Sequence, residues 1–182
     1  MFEFFTATKT RSEMEPPFRA EPLPREDLVQ KALELGEFYA HARTRTRAAG
    51  LRRRFSANCR ILRHAYQVFN TAARTKDPLP PGAEWILDNY RLIDDQARAI
   101  RRDLPRSYYQ ALPKLTDGKW RGFPRVYQII CDYLAHADCA LDVDYLAAFL
   151  EAYQTKSHLL ISEIWAVPIM LRLALIENLR RL

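Results

Sequence analysis

The sequence has little material for a phosphate-binding loop or a disulfide framework. It contains only five glycines in 182 residues, and its three cysteines, Cys59, Cys131 and Cys139, are an odd number. A nucleotide cradle of the glycine-rich kind needs several closely spaced glycines. A disulfide-stabilised secreted domain needs paired cysteines. We therefore expect reduced thiols, which are typical of a cytosolic protein.

The chain also lacks a long apolar run. A membrane-spanning helix needs ~20 mainly apolar residues, and the best candidate, residues 159–176, is interrupted by Glu163 and Arg172. The N-terminus begins apolar and acidic, whereas a secretory signal begins with basic residues. The sequence thus predicts neither a transmembrane span nor a secretory signal.

The composition and the hydrophobic spacing predict an all-α fold. Hydrophobic residues make up 48% of the chain and charged residues 27%, as in folded globular domains. No segment shows the alternating pattern of a strand. Apolar residues instead recur at helical spacing, which predicts a bundle of about six amphipathic helices. Five are expected at about 25–49, 51–74, 83–103, 124–137 and 162–182, and another is expected to begin at a cap formed by Asp142. The last helix is expected to be truncated, because its apolar stripe runs to Leu182 without a stop signal.

Proline-rich segments suggest the domain organisation. Four prolines fall between residues 16 and 24, so we expect residues 1–24 to form an extended leader. Residues 25–182 would form the helical domain. The segment 75–82, with the sequence TKDPLPPG, is a break that could divide this domain.

Acidic residues are absent between Glu37 and Asp77, and this gap is rich in arginine. Such a block attracts phosphate groups on lipids or nucleic acids. The candidate anion-binding residues are Arg43, Arg45, Arg47, Arg52, Arg53, Arg54, Arg60 and Arg63. The first interpretation of this block is two helices with solvated basic faces that meet at Gly50. Binding of anionic lipid headgroups is the next interpretation. Nucleic acid ranks behind it, because Phe55, Tyr66 and Phe69 fall on the apolar stripe and not on a base-stacking surface.

Two patterns that resemble catalytic or metal sites have structural explanations. Asp142 and Asp144 match the D-x-D pattern of metal-dependent sugar transferases, but they precede a predicted helix, where Asp142 would cap the helix start. Cys131, His136 and Cys139 lack a fourth ligand at suitable spacing for zinc. We therefore assign no catalytic, cofactor-binding or metal-binding residue, and we expect the chain alone to need no cofactor.

Several segments in the second half of the chain resemble the N-terminal region of cyclic β-1,2-glucan synthases. The similarity begins near residue 79 and covers a little over half the chain. Its segments include residues 84–90 (EWILDNY), 112–115 (LPKL), 122–127 (GFPRVY) and 168–182 (PIMLRLALIENLRRL), of which the last is the most specific.

This resemblance implies a place in a very long bacterial inner-membrane enzyme that polymerises glucose from UDP-glucose. The family's transferase, membrane spans and phosphorylase-like domain lie outside the matched region, so no catalytic residue is carried over. The implied role is a cytosolic scaffold or regulator that is not catalytic by itself, with the rest of the synthase as its partner. The alternative is an independent helical module that binds anionic lipid, nucleic acid or a partner protein through residues 43–63.

Overall fold

A computed structural model describes residues 16–44 and 47–182. The described chain forms seven helices and one small antiparallel strand pair, which confirms the all-α prediction. In chain order these elements are α1 (Arg25–Phe38), β1 (Ala42–Arg43), α2 (Leu51–Thr75), α3 (Ala83–Asp103), α4 (Arg106–Ala111), β2 (Lys114–Leu115), α5 (Arg125–His136), α6 (Val143–Lys156) and α7 (Ile161–Arg181).

Helices α5 and α7 form the centre of the fold. Their facing sides are apolar: Val126, Ile129 and Ile130 of α5 and Met170 and Ala174 of α7 have no exposed surface. Helix α1 packs on α6 on one side of this pair, and the α2–α3 hairpin packs on α7 on the other. The buried parts of the apolar stripes form the core, and burial of this kind is the main favourable term in folding.

The first helix is shorter than the sequence predicts. It ends at Phe38 and not near residue 49. Tyr39 turns into the core, where its hydroxyl donates to Asp132 Oδ2 at 2.9 Å. The backbone of Ala42–Arg43 then pairs with Lys114–Leu115, so its hydrogen-bonding groups are satisfied by a strand and not by a helix. The expectation of no strand was wrong at this point.

The last helix also differs in detail from the predicted stripe. Leu182 is exposed although the stripe predicts its burial, while the helix buries Glu177, Asn178 and Arg180. Pro168 lies inside the helix and neither ends it nor begins it. The physical reason for the shift of the buried face is a set of polar contacts, described below, that holds the C-terminal half of α7 against α2 and α5.

Residues 16–24 run along α5 and α7 without forming a helix. The backbone N–H groups of Ala20 and Leu23 donate to the carbonyls of Ala135 and His136, at 3.1 and 3.0 Å. The division into a leader of residues 1–24 and a helical domain of residues 25–182 stays a prediction, and residues 1–15 lie outside the described residues.

Candidate functional site

Most of the predicted anion-binding arginines are exposed, but they do not all belong to one surface. The exposed ones in the described part of the chain are Arg43, Arg47, Arg52, Arg53, Arg60 and Arg63. Arg45 lies outside the described residues. The role of this set in binding phosphate groups stays a prediction.

Two of these arginines have partners within the protein. Arg54 turns inward, and its Nε and Nη2 atoms donate to Glu177 Oε1 at 2.8 and 2.6 Å. Arg63 donates to the Tyr90 hydroxyl at 3.4 Å and lies 3.7 Å from Asp94 Oδ1. Arg54 therefore has a structural role that the run of three arginines in the sequence did not reveal.

A buried ion pair joins α5 to the start of α7. Arg125 Nε and Nη2 donate to the two carboxylate oxygens of Glu163 at 3.0 and 2.6 Å, and the two side chains are 7% and 0% exposed. The guanidinium also donates to Ser157 Oγ and to the carbonyl of His158. Glu163 in turn accepts the backbone N–H of Leu160 at 3.0 Å. The pair thus fixes the α6–α7 connection and caps α7.

A second buried network lies at the other end of α7. Glu177, whose side chain is 1% exposed, binds Arg54 and Arg181 through Oε1 and accepts the Tyr127 hydroxyl on Oε2 at 2.9 Å. Asn58 lies 3.4 Å from the same carboxylate. The network connects α2, α5 and α7 in the centre of the molecule.

Electrostatics explains why Glu177 stays charged when it is buried. Burial alone would raise the pKa of Glu177, but hydrogen bonds and opposite charge from Arg54 and Arg181 outweigh it and lower the pKa below its ordinary value. For Arg125, burial would lower the pKa, and the bonds and charge of Glu163 raise it instead. In both networks a buried glutamate is therefore paired with a guanidinium group, and removing one partner would leave the other buried without it.

The D-x-D pair occupies a helix start, as the sequence predicts. Asp142 is the N-cap of α6, and its Oδ1 accepts the backbone N–H groups of Asp144 and Tyr145 at 2.9 and 3.0 Å. This geometry is the ordinary one for an N-cap aspartate.

The three residues considered as zinc ligands have separate surroundings. Cys131 is buried in the core. The Nδ1 atom of His136 lies 3.0 Å from the carbonyl oxygen of Glu21, and the Asn178 amide donates to Cys139 Sγ at 3.0 Å. Across residues 16–44 and 47–182, no three His, Cys, Asp or Glu side chains are grouped as a metal site would require.

An apolar groove of about 850 Å³ lies between the α2–α3 hairpin and α7. Its walls include Ile61, Phe69, Trp85, Leu175 and Leu179. Few polar groups line it, so it lacks the convergent polar set with which a site orients a reactive substrate. Within the described residues, none of the helices combines the length and the apolar character that a membrane crossing requires.

The fold and these sites define a class: an all-helical domain whose buried charges hold helices together. No protein-family model matches the chain. Over 104 residues, or 57% of its length, the chain is 38% identical to the cyclic beta-(1,2)-glucan synthase NdvB of Rhizobium meliloti (strain 1021). The chain spans only 4% of that relative. The resemblance seen in the sequence is therefore confirmed.

Sequence reasoning missed both buried charge networks. In the sequence, Glu163 is noted as a charge that interrupts an apolar run, and Glu177 is given no role. A usable signal was present: Glu177 falls one residue after Ile176 and four residues after Leu173, inside a helix whose neighbouring positions are apolar. A charge at such a position is rarely buried without a partner, which points to the arginines elsewhere in the chain.

Proposed function

We propose that this chain is a non-catalytic helical region of a cyclic β-1,2-glucan synthase, where it scaffolds or regulates the enzyme that polymerises glucose from UDP-glucose. In this proposal it corresponds to the N-terminal part of the enzyme and lies at the cytoplasmic face of the bacterial inner membrane. Its partner is the remainder of the synthase polypeptide. The observation that carries the proposal is the 38% identity over 104 residues to a named synthase.

The use of the polar side chains supports a structural role. Glu163 and Glu177 are the carboxylates with no or almost no exposed surface, and both are neutralised by arginines that join helices. A general acid or base needs a carboxyl that can reach substrate and change its protonation state near the working pH. Neither group can reach a substrate, because both are buried and paired with arginines. The side chain of Asp142 caps α6.

The location of these networks also fits a scaffold. They hold α2, α5, α6 and α7 in fixed positions, and they leave the outer faces of α2 and α3 available to contact other parts of a large enzyme. Residues 168–182 carry the most specific part of the resemblance. They include Glu177 and Arg181 of the second buried network, which joins α2, α5 and α7. Similarity there would preserve the packing of the domain and not a reaction centre.

One experiment tests the absence of activity. The purified chain is incubated with UDP-glucose and Mg²⁺, and release of UDP is measured. We expect no release above the rate without protein. Sustained release that disappears in the Asp142→Ala, Asp144→Ala double variant would overturn the non-catalytic role.

A second experiment tests the connection with the synthase. A bacterium whose synthase lacks the segment matching these 104 residues is supplied with this chain in trans, and cyclic glucan is quantified. We expect lower glucan without the chain and partial recovery with it. Unchanged glucan after removal of the segment would contradict a scaffolding or regulatory role.

A further inference from the structure

The first half of α7 has apolar residues on its outer face as well as on its inner face. Ile161, Ile164 and Trp165 are 74%, 45% and 75% exposed, and Leu160 just before the helix is 50% exposed. These four residues form what we call the α7 apolar stripe. A helix that is apolar all round is normally covered by another apolar phase.

The charges beside the stripe are positive. Between residues 160 and 171 the sequence contains one charged residue, Glu163, and its carboxylate faces inward onto Arg125. Exposed Arg43 lines the same recess as Leu160.

A second exposed cation belongs to α4, which contacts the start of α7. Exposed Arg106 is the first residue of α4. That helix is held against α7 because the Tyr108 hydroxyl donates to the Ser162 carbonyl at 2.6 Å. Arg43 of β1 therefore lies beside one end of the stripe, and Arg106 lies on a short helix that contacts the first turn of α7.

We infer that the α7 apolar stripe, together with Arg43 and Arg106, inserts into the interfacial layer of a bilayer that contains anionic lipids. Tryptophan prefers the headgroup level of a membrane. Apolar side chains with adjacent cations are the combination by which peripheral helices attach to anionic membranes. This inference does not depend on the synthase assignment, because it uses neither the similarity nor the glucan chemistry.

The size of the stripe favours a membrane over a protein partner. A stable protein interface takes about 20–30 residues from each side, whereas the stripe has four side chains. Reversible attachment to a bilayer needs only a few inserted side chains when cations add to their effect. An acidic protein surface is the competing occupant, and the vesicle experiment separates the two.

The test is sedimentation of the full chain with vesicles of phosphatidylcholine alone or of phosphatidylcholine mixed with phosphatidylglycerol. We expect binding to the mixed vesicles and at least tenfold weaker binding to the neutral ones. The Ile161→Ser, Trp165→Ala double variant should bind the mixed vesicles about tenfold more weakly, because it removes apolar surface from the membrane. Arg43→Gln with Arg106→Gln should weaken binding about tenfold at low salt, and this difference should shrink as salt rises.

Matched controls use exposed residues elsewhere. Trp85→Ala removes an exposed tryptophan from the groove between α2, α3 and α7. Arg74→Gln with Arg91→Gln removes two exposed arginines from α2 and α3. Both controls should bind mixed vesicles as the wild type does. The tryptophan emission of the wild type should shift to shorter wavelength on binding, and Trp165→Phe should abolish the shift while binding is kept.

Three outcomes would overturn the inference. One is absence of binding to mixed vesicles. Another is binding that the Ile161 and Trp165 changes leave intact, or that Trp85→Ala weakens equally. The third is equal binding to neutral and anionic vesicles. The substituted stripe residues are largely exposed, and an unchanged urea midpoint would show that each variant is folded.

Discussion

Arg125 and Glu163 meet through two hydrogen bonds of 3.0 and 2.6 Å, and both side chains are buried. Their separation in the sequence is 38 residues, and the pair brings the first residue of α5 to the first turn of α7. Because both groups are desolvated, each stabilises the other only while both are present. Loss of either partner should therefore destabilise the folded domain.

Removing one partner of this pair should be costly. We expect Arg125→Met to lower the free energy of unfolding by about 3–5 kcal/mol, because Glu163 would be left buried without its counter-charge. The double variant Arg125→Met, Glu163→Leu should regain much of that loss. Urea unfolding followed by circular dichroism measures both.

The exposed ion pair between Lys156 and Glu37 is the control for this prediction. Its atoms are 2.8 Å apart, but the side chains are 43% and 68% exposed, and pairs of this kind contribute about 0–1 kcal/mol. Glu37→Gln should therefore leave the urea midpoint nearly unchanged. A similar loss in Glu37→Gln and Arg125→Met would contradict the view that burial makes the Arg125 pair important.

The free energy of unfolding should vary with pH in a way that reflects the ionisation of Glu177. Hydrogen bonds and charge from Arg54 and Arg181 overcome burial and hold the pKa of Glu177 below its ordinary value of 4.5. A carboxyl with a lowered pKa in the folded state contributes stability above its unfolded pKa, and that contribution is lost as pH falls through the folded value. Glu177→Gln should therefore be much less stable than the wild type near pH 7, and the gap should narrow near pH 3.

The measurement is a series of urea titrations of both proteins across this range. Glu34→Gln is the matched control, because Glu34 is exposed and pairs with Lys31 on the same helix. The free energy of unfolding of Glu34→Gln should differ little from that of the wild type at every pH. A gap between Glu177→Gln and the wild type that stays constant from pH 7 to pH 3 would show that the charge of Glu177 contributes no stability.

The helix pattern could be predicted from the sequence because each helix carries its own local signals. Helix α3 is bounded as the sequence predicts, from Ala83 to Asp103, since a proline-rich break precedes it and Leu104-Pro105 follows. Helix α5 starts after Pro124 for a similar local reason. Such boundaries depend on neighbouring residues only, so a single sequence contains the information.

The end of α1 and the buried networks depend instead on distant residues. Helix α1 ends at Phe38 because Tyr39 forms a hydrogen bond with Asp132 and β1 pairs with β2. Both contacts join residues that are far apart in the sequence. In the sequence nothing distinguishes Arg54 from its neighbours Arg52 and Arg53. In the structure Arg54 differs from them because it forms a buried ion pair with Glu177 of α7. Tertiary contacts of this kind override local propensity. A charge among apolar positions can indicate that Glu177 is buried, but the local pattern does not identify which distant residue is its partner.

The N-cap of α6 gives a prediction that also bears on activity. We expect Asp142→Ala to lower the free energy of unfolding by about 1 kcal/mol, because two backbone N–H groups lose their acceptor. Asp142→Asn should retain most of the stability, since asparagine also caps helices. Asp144→Ala should cost less than Asp142→Ala, because the Asp144 side chain acts only through the charge at the helix start. Thermal unfolding ranks the three variants, and a larger loss for Asp144→Ala would contradict the cap assignment.

The packing of α1 on α6 predicts an unusual effect at Gly36. Replacing a glycine inside a helix with alanine ordinarily stabilises the protein by roughly 0.5–1 kcal/mol. At Gly36, however, an added Cβ would lie 2.7 Å from Lys156 Cβ and 2.8 Å from the Tyr153 carbonyl oxygen. The two helices would have to separate, so we expect Gly36→Ala to destabilise the protein by about 1–3 kcal/mol.

Gly82 provides the comparison, because it has open space beside it and its constraint comes from the backbone. Its φ is +80°, and nothing lies within 4 Å of the position that an added Cβ would take. Gly82→Ala should cost about 1–2 kcal/mol through the left-handed backbone alone, and Gly82→Asn should cost less because asparagine adopts that conformation more readily. At Gly36, in contrast, asparagine should be worse than alanine because it is larger. Urea midpoints of the four variants decide between the two mechanisms, and a stabilising Gly36→Ala would mean that α1 and α6 do not approach each other this closely.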